Sequence, residues 1–344
     1  MSGRHPVRAG LIGLGMMGRH HARVLRAVDG VELVGVADPC GDPHGVAGGL
    51  PLVDDVDGLL RLGVDAVVVA VPTAYHEAVG LRLAEAGVHA LVEKPVAHDG
   101  AAGCRLVEAF ESRGLVGAVG HIERYNPALQ SLRARLEAGD VGEVHQIATR
   151  RQGPFPARIA DVGVVKDLAT HDIDLTAWLV QSGFRSVFGQ VAHKSGRPHE
   201  DLVAFSGRLE DGTVTSHLVN WLSPFKERLT VVTGSRGTFV ADTLTADLTF
   251  YENGTVDTSW DAVAAFRGVS EGSMVRYALD KREPLLVEHE AFRDAVRGDG
   301  PSRVVTLREG LSTLRVAEAA IESATTGRPV DLSRDPAPAS VVPA

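Results

Sequence analysis

Cysteine is nearly missing from this chain: Cys40 and Cys104 are the only two in 344 residues. Two thiols cannot build a disulfide framework or a four-ligand zinc site, so each reads as a small structural residue or a surface thiol. Long apolar runs are also missing. The longest, 66–71, falls far short of the roughly 20 residues that span a bilayer. Near the start, apolar residues are interrupted by Gly10, Gly13, Gly15 and Gly18. That is not the pattern of a secretory signal, and a cytoplasmic location with no membrane partner is expected. Basic charge is not in excess. With 35 Lys and Arg against 44 Asp and Glu, the net charge is −9, which gives no support to a nucleic-acid partner. No internal repeat of fixed period is visible.

What remains is an ordinary globular composition, 44% hydrophobic and 23% charged, in a chain long enough for two domains. Through residue 123, β-branched runs at 7–14, 31–37, 66–71, 90–92 and 116–120 alternate with helical patterns at 18–27, 73–86 and 99–112. Strands alternating with helices imply βαβ units and a doubly wound parallel sheet. Beyond residue 123 the rhythm changes. A helix over 129–137, a strand over 143–151 and a helix over 168–180 are predicted, the last ending at Ser182-Gly183 with a left-handed glycine. Strand-like segments then fill 186–250, with turns at Glu210-Asp211-Gly212, Gly234-Ser235-Arg236-Gly237 and Asn253-Gly254. They predict a large, mostly antiparallel open sheet. Helices over 288–296 and 307–325 follow. The division is an α/β domain over 1–123, an α+β domain over 124–334, and a loosely attached Pro- and Ala-rich tail over 335–344.

Gly13-Leu14-Gly15-Met16-Met17-Gly18 is a G-x-G-x-x-G at the end of a predicted strand and the start of a helix. The first glycine suits a tight turn, the second lets the backbone approach a pyrophosphate, and the third permits close helix–strand packing. Around Met16 and Met17 the helix opens with free N–H groups toward phosphate. This is the fingerprint of a Rossmann dinucleotide site. Asp38 lies 20 positions beyond Gly18, at the end of the next strand. A carboxylate there accepts hydrogen bonds from the ribose hydroxyls of NAD and repels the 2′-phosphate of NADP, and the following residue is Pro39, not a base. The cofactor expected is NAD rather than NADP; FAD is disfavoured by the motifs that follow.

Val71-Pro72-Thr73-Ala74-Tyr75-His76 follows the strand at 66–71, and Glu93-Lys94-Pro95 the strand at 90–92. Asp167-Leu168-Ala169-Thr170-His171-Asp172-Ile173-Asp174 opens a helix of the second domain. With the glycine loop, these segments resemble the glucose–fructose oxidoreductase / inositol dehydrogenase family of nicotinamide enzymes, over nearly the whole chain. The resemblance implies that Lys94 is the active-site lysine, with Asp167 and His171 as the remaining polar catalytic pair. It implies a Lys94–Pro95 bond that is commonly cis, which proline allows. It further implies that His76 closes over the cofactor, with Val71, Pro72, Glu93 and Lys94 beside it, and that no metal takes part.

The residues read alone agree. Asp167 and His171 are four apart and share a helix face, extended by Asp174 and Trp178. Lys94 stands at the carboxyl end of a strand, where open α/β sheets bind ligands. An unperturbed histidine, at a pKa of about 6.5, is mostly neutral at pH 7. A lysine at about 10.4 needs a shift of over three units, roughly 4.6 kcal/mol, to be half neutral. His171 as base, Asp167 as its orienting group and Lys94 as hydrogen-bond donor to the reacting oxygen is the division expected. Lys94 as the base, at a depressed pKa, is left open.

Gly120-His121-Ile122-Glu123-Arg124-Tyr125-Asn126-Pro127 lies where the substrate cleft is expected, at the domain junction. This segment and 161–167 are similar to the nucleotide-sugar enzymes of the family. Arg124, Tyr125, Asn126 and Lys166 would then contact substrate alongside Lys94 and His171, since a guanidinium fork suits phosphate or carboxylate. For Arg124 an interdomain ion pair is the alternative. Many relatives carry two glycines before the Asp-x-x-x-His motif; here Asp161-Val162-Gly163 stands instead, as in the nucleotide-sugar group. The function expected is hydride transfer between NAD and a secondary alcohol, at C3, of a nucleotide sugar such as UDP-N-acetylglucosamine. An inositol or free-sugar dehydrogenase, a 3-ketosugar reductase, and a non-catalytic NAD-binding sensor are the alternatives, and a homodimer or homotetramer is expected. Tyr277 and Lys281 have the spacing of another dehydrogenase pair but lie too late in the chain. His20-His21 reads as solvent-facing or packed, and His193 and His199 have no ligand neighbours.

Overall fold

The computed structural model describes residues 5–156, 162–254 and 270–333. The tail at 335–344 and Asp161 lie outside them. The chain divides into two compact units, Met1–Ile122 with Glu283–Arg315, and Glu123–Arg282 with Val316–Ala344.

The first unit runs β1 (Val7–Ile12), α1 (Met16–Leu25), β2 (Val31–Ala37), β3 (Leu52–Val53), α2 (Val56–Arg61), β4 (Ala66–Val69), α3 (His76–Glu85), β5 (His89–Val92), α4 (Gly100–Glu111) and β6 (Gly117–Val119). Its six strands are parallel, in the order β3-β2-β1-β4-β5-β6. Strand order reverses between β1 and β4, so a crevice forms at their carboxyl ends, directly at the glycine loop. All four residues of β4 are buried, as expected of a strand covered by helices on both faces. Neither β3 nor α2 is visible in the sequence as a pattern: two strand residues give no periodicity. The α2 start is nonetheless capped, with Gly58 N donating to the Asp55 carboxylate at 2.8 Å.

The second unit opens with α5 (Pro127–Glu137), β7 (Val144–Pro154), a π-helical turn at Val165–Ala169 and α6 (Thr170–Val180). It continues through β8 (Phe184–Ala192), β9 (Leu202–Leu209), β10 (Val214–Asn220), β11 (Leu222–Gly234), β12 (Gly237–Asp242), β13 (Asp247–Gly254) and β14 (Ser270–Arg276). These strands form a sheet in the order β14-β13-β12-β11-β7-β10-β9-β8, antiparallel except where β10 runs parallel to β7. One face is apolar: Ile147, Val232, Phe239 and Leu248 pack under Leu129 and Leu132 of α5 and Leu175 and Leu179 of α6.

Three local expectations are corrected. The α6 helix closes on Gln181, at φ 54°, not on Gly183. Asn253-Gly254 is not a turn but the end of β13, paired with Glu271 and Ser270 of β14. The segment assigned whole to the second domain returns in part to the first unit, as α7 (Pro284–Arg297) and the start of α8 (Leu307–Thr326). The physical reason is burial. Leu307, Leu311 and Leu314 complete one core of the parallel sheet, and Phe292 fills the other. A final strand, β15 (Val330–Asp331), adds to the edge of the large sheet beside β8. No helix among the described residues is long and apolar enough to cross a membrane.

Candidate active site

The glycine loop has the shape its sequence promises. Gly13 has φ +93°, and a Cβ there would lie 2.5 Å from the Ala70 carbonyl. A Cβ on Gly18 would lie 1.9 Å from the Gly13 oxygen, whereas one on Gly15 would meet nothing within 4 Å. The loop is therefore packed on one side and open on the other. Helix α1 starts beneath it with no side-chain cap and no acidic residue in its first turn. Its N–H groups and dipole are left for an anion. Asp38 accepts from Leu14 N and from Cys40 N, each at 2.8 Å, one through each oxygen. It thus clamps the loop to the end of β2, and a carboxylate so used retains lone pairs for ribose hydroxyls. The cradle, the uncapped helix and the carboxylate fit a dinucleotide. Met16 is exposed and Met17 partly so at the mouth of this loop, as are Val71 and Pro72 beyond β4.

At the end of β5 the Lys94–Pro95 bond is cis. Glu93 is buried, and its carboxylate accepts from the Lys94 amide at 3.1 Å. The other carboxylate oxygen accepts from His21 Nε2 at 2.8 Å, and His21 Nδ1 meets His289 Nε2 at 2.8 Å. His21 is fully buried, a signal present in the sequence: Gly18, His21, Ala22 and Leu25 share the i, i+3, i+4, i+7 face of α1. His76 is buried, with Nδ1 2.9 Å from the Pro95 oxygen and Nε2 3.0 Å from the Val71 oxygen. It braces the segments that follow β4 and β5. Burial lowers its pKa, against the pull of both carbonyls.

In the second unit Asp167 lies in the π-helical turn, and His171 in the first turn of α6. The helix predicted from residue 168 thus begins earlier and wider, a form frequent at functional sites. Its start is held by Glu200: the Glu200 carbonyl accepts from Val164 N and its carboxylate from Val165 N, each at 3.0 Å. A Cβ on Gly163 would lie about 2 Å from that carboxylate, so the local packing calls for glycine at 163.

Of residues 124–126, expected to contact substrate, Arg124 and Asn126 have partners within the second unit. Arg124 donates through Nε and Nη2 to Asp174, at 2.8 and 2.7 Å, and is buried. Two nitrogens of its fork are thus engaged by a carboxylate of the second unit. Tyr125 is buried. Asn126 caps α5, accepting from Ala128 N at 3.0 Å and donating to the Thr243 carbonyl at 3.0 Å. Lys166 lies 3.4 Å from Glu318. A second buried pair escaped the sequence reading: Arg151 donates to Asp172 at 2.8 Å and to Glu123 at 2.7 Å. Burial raises the Asp172 pKa even against Arg151. Lys281 is tied to Asp247 at 2.8 Å and Tyr277 lies under Arg135, so that pair belongs to the second unit's surface. Both cysteines are exposed.

Comparison with known proteins now bears on this geometry. Residues 7–121 match the GFO/IDH/MocA model described as an oxidoreductase family with an NAD-binding Rossmann fold, and residues 129–240 match the C-terminal domain of the same family. The chain belongs to the GFO/IDH/MocA oxidoreductase family. It is an NAD-binding oxidoreductase. UDP-N-acetylglucosamine 3-dehydrogenase of Acidithiobacillus ferrooxidans is 32% identical over 92% of this chain and 96% of its own length. A solved structure of that enzyme from the same organism superimposes with a TM-score of 0.78 at 29% identity, over 93% of this chain and 98% of the other. The scyllo-inositol 2-dehydrogenase of Bacillus subtilis is equally 32% identical, but over 54% of this chain and 57% of its own length. The family's two domains were legible in the motifs; the second unit's internal ion pairs were not.

Proposed function

We propose that this protein oxidises, or in reverse reduces, a secondary alcohol at C3 of a nucleotide sugar such as UDP-N-acetylglucosamine, with NAD. The observation that carries the reading is the near-full-length similarity to a UDP-N-acetylglucosamine 3-dehydrogenase, against a match of about half the chain to an inositol enzyme at the same identity.

NAD, when bound, would supply the acceptor for the hydride of the carbinol carbon. The glycine loop, the first N–H groups of α1 and Asp38 hold the dinucleotide. Lys94, Asp167 and His171 act on the substrate. His171 accepts the hydroxyl proton, Asp167 steadies the resulting imidazolium, and the Lys94 ammonium donates to the oxygen as it becomes a carbonyl. With Arg124 and Asn126 engaged internally, this reading leaves substrate contacts to Lys94, His171 and Lys166 among the residues singled out in the sequence.

Incubation with NAD and a panel of UDP-sugars, free sugars and inositols, followed by the absorbance of reduced cofactor, tests the proposal. Turnover is expected with a UDP-hexosamine and not with inositols. Turnover confined to inositols would replace the substrate, and tight NAD binding with no turnover of any polyol would make the protein a sensor.

A further inference from the structure

The reaction outlined above leaves unused a cluster of four ionisable side chains in the first unit. Glu93, His21, His289 and Glu288 are all buried. They come from three elements: His21 from α1, Glu93 from the end of β5, and Glu288 and His289 from α7. A carboxylate only accepts, so His21 Nε2 donates to Glu93. His21 Nδ1 is joined in turn to His289. His289 Nδ1 and both oxygens of Glu288 have no hydrogen-bond partner among the described residues. Burying such groups is unfavourable unless they are paired, so packing alone gives the sequence no reason to place them here.

Their position supplies a reason. Helix α1 begins at the glycine loop, and β1, β4 and β5 are neighbours in the sheet. The His21–Glu93 bond therefore spans from the helix under the loop to the turn that carries Lys94. We propose that His21 and His289 are positioning residues that act through Glu93. They fix the Glu93–Lys94 turn and keep its carboxylate ionised, which favours the positively charged oxidised nicotinamide over the neutral reduced one. The proposal rests on the reading of Lys94 as the residue beside the reacting atoms.

The charges around Glu93 are consistent with it. Burial pushes the Glu93 pKa up, yet the His21 bond and then Lys94 hold it below the usual range. Burial, and then the Glu93 charge, push the Glu288 pKa well up, toward the neutral acid. Burial lowers the His289 pKa well below the ordinary histidine value, toward the neutral ring. The groups facing Glu93 are thus His21, Lys94 and Glu288, with His76, on which the Glu93 charge also acts.

The test needs no sugar. Dissociation constants for NAD⁺ and NADH are measured by calorimetry across the neutral pH range for the parent, His21→Leu, His21→Gln and His289→Asn. In His21→Leu the preference for NAD⁺ should fall by about tenfold, the worth of one hydrogen bond to a charged group. It should fall further as pH drops, because without the His21 hydrogen bond burial is left to push the Glu93 pKa up. His21→Gln, which keeps a donor for Glu93, should restore the preference to within about twofold, a rescue that a purely structural role does not predict. His289→Asn gives the second reading should His21→Leu fail to fold. A parent-like NAD⁺-to-NADH ratio at every pH in a folded His21→Leu or His289→Asn variant would overturn the proposal. Failure of the parent to turn over any sugar would sink the substrate reading while this binding ratio still decided the inference.

Discussion

The two units use charge in opposite ways. In the first, the polar groups around the glycine loop work largely through the backbone: uncapped N–H groups at α1, Asp38 on two amides, Glu93 on a third. In the second, the arginines that look available in the sequence are turned inward, Arg124 onto Asp174 and Arg151 onto Asp172 and Glu123. A site built on backbone geometry leaves a fixed spacing of glycines behind it. A site built on side-chain pairing leaves only residue types, and those do not say which partner they will meet.

Breaking the first unit's chemistry should give the largest effect. Lys94→Ala is expected to lower kcat by about 10²–10⁴, the range of a lost proton-transfer or oxyanion group, with NAD affinity changed far less. Full activity in steady-state assays of this variant would remove Lys94 from either division of roles. Next comes the second unit. Arg124→Leu takes two guanidinium hydrogen bonds from the buried Asp174 carboxylate, and should cost about 3–5 kcal/mol in denaturant unfolding, with the KM for sugar unaltered. Adding Asp174→Leu should recover most of the loss, because a buried pair exchanged for apolar residues is often neutral or better. A raised KM at unchanged stability would instead make Arg124 a substrate contact and erase the contrast.

The smallest effect tests the buried acid that has no hydrogen-bond partner among the described residues. Glu288 holds a proton in the folded state that an unfolded glutamate releases above its ordinary pKa of 4.5. Fewer protons on the unfolded chain mean that stability falls as pH rises. Glu288→Gln should therefore be the more stable protein at neutral pH, by less than the Arg124→Leu loss. The gain should vanish in acid below that ordinary value. Thermal melts across pH read both limbs, and a pH-independent difference would mean that Glu288 is not a buried titrating acid.

How far the sequence could be read follows the same division. The parallel sheet was legible because its strands are short apolar runs between helical periods, and Gly13, Gly15, Gly18 and Asp38 name their ligand by spacing. Strand β3 and helix α2 escaped because two and six residues are too short to show a period. His21 reads as solvent-facing or packed, and the buried face of α1 bears out the packing, but its bonds to Glu93 and His289 lie 72 and 268 positions away and leave no local pattern. Arg124 and Asp174 lie 50 positions apart and Glu200 35 beyond Val165; such partners are chosen by the folded sheet and helices, not by local pattern. The cis bond before Pro95 came only through the family resemblance, because proline permits it without requiring it.

The return of Glu283–Arg315 to the first unit bears on how the protein is made. A ribosome releases the glycine loop and all six parallel strands long before it reaches Phe292, Leu307 and Leu311, which close their two cores. At roughly 5–20 residues per second, the cofactor unit waits through the synthesis of residues 123–282 with both of its cores incomplete. The unit that binds the dinucleotide begins first and is finished late, so a chain stopped near residue 282 would carry every cofactor motif and lack the two helices that complete its cores.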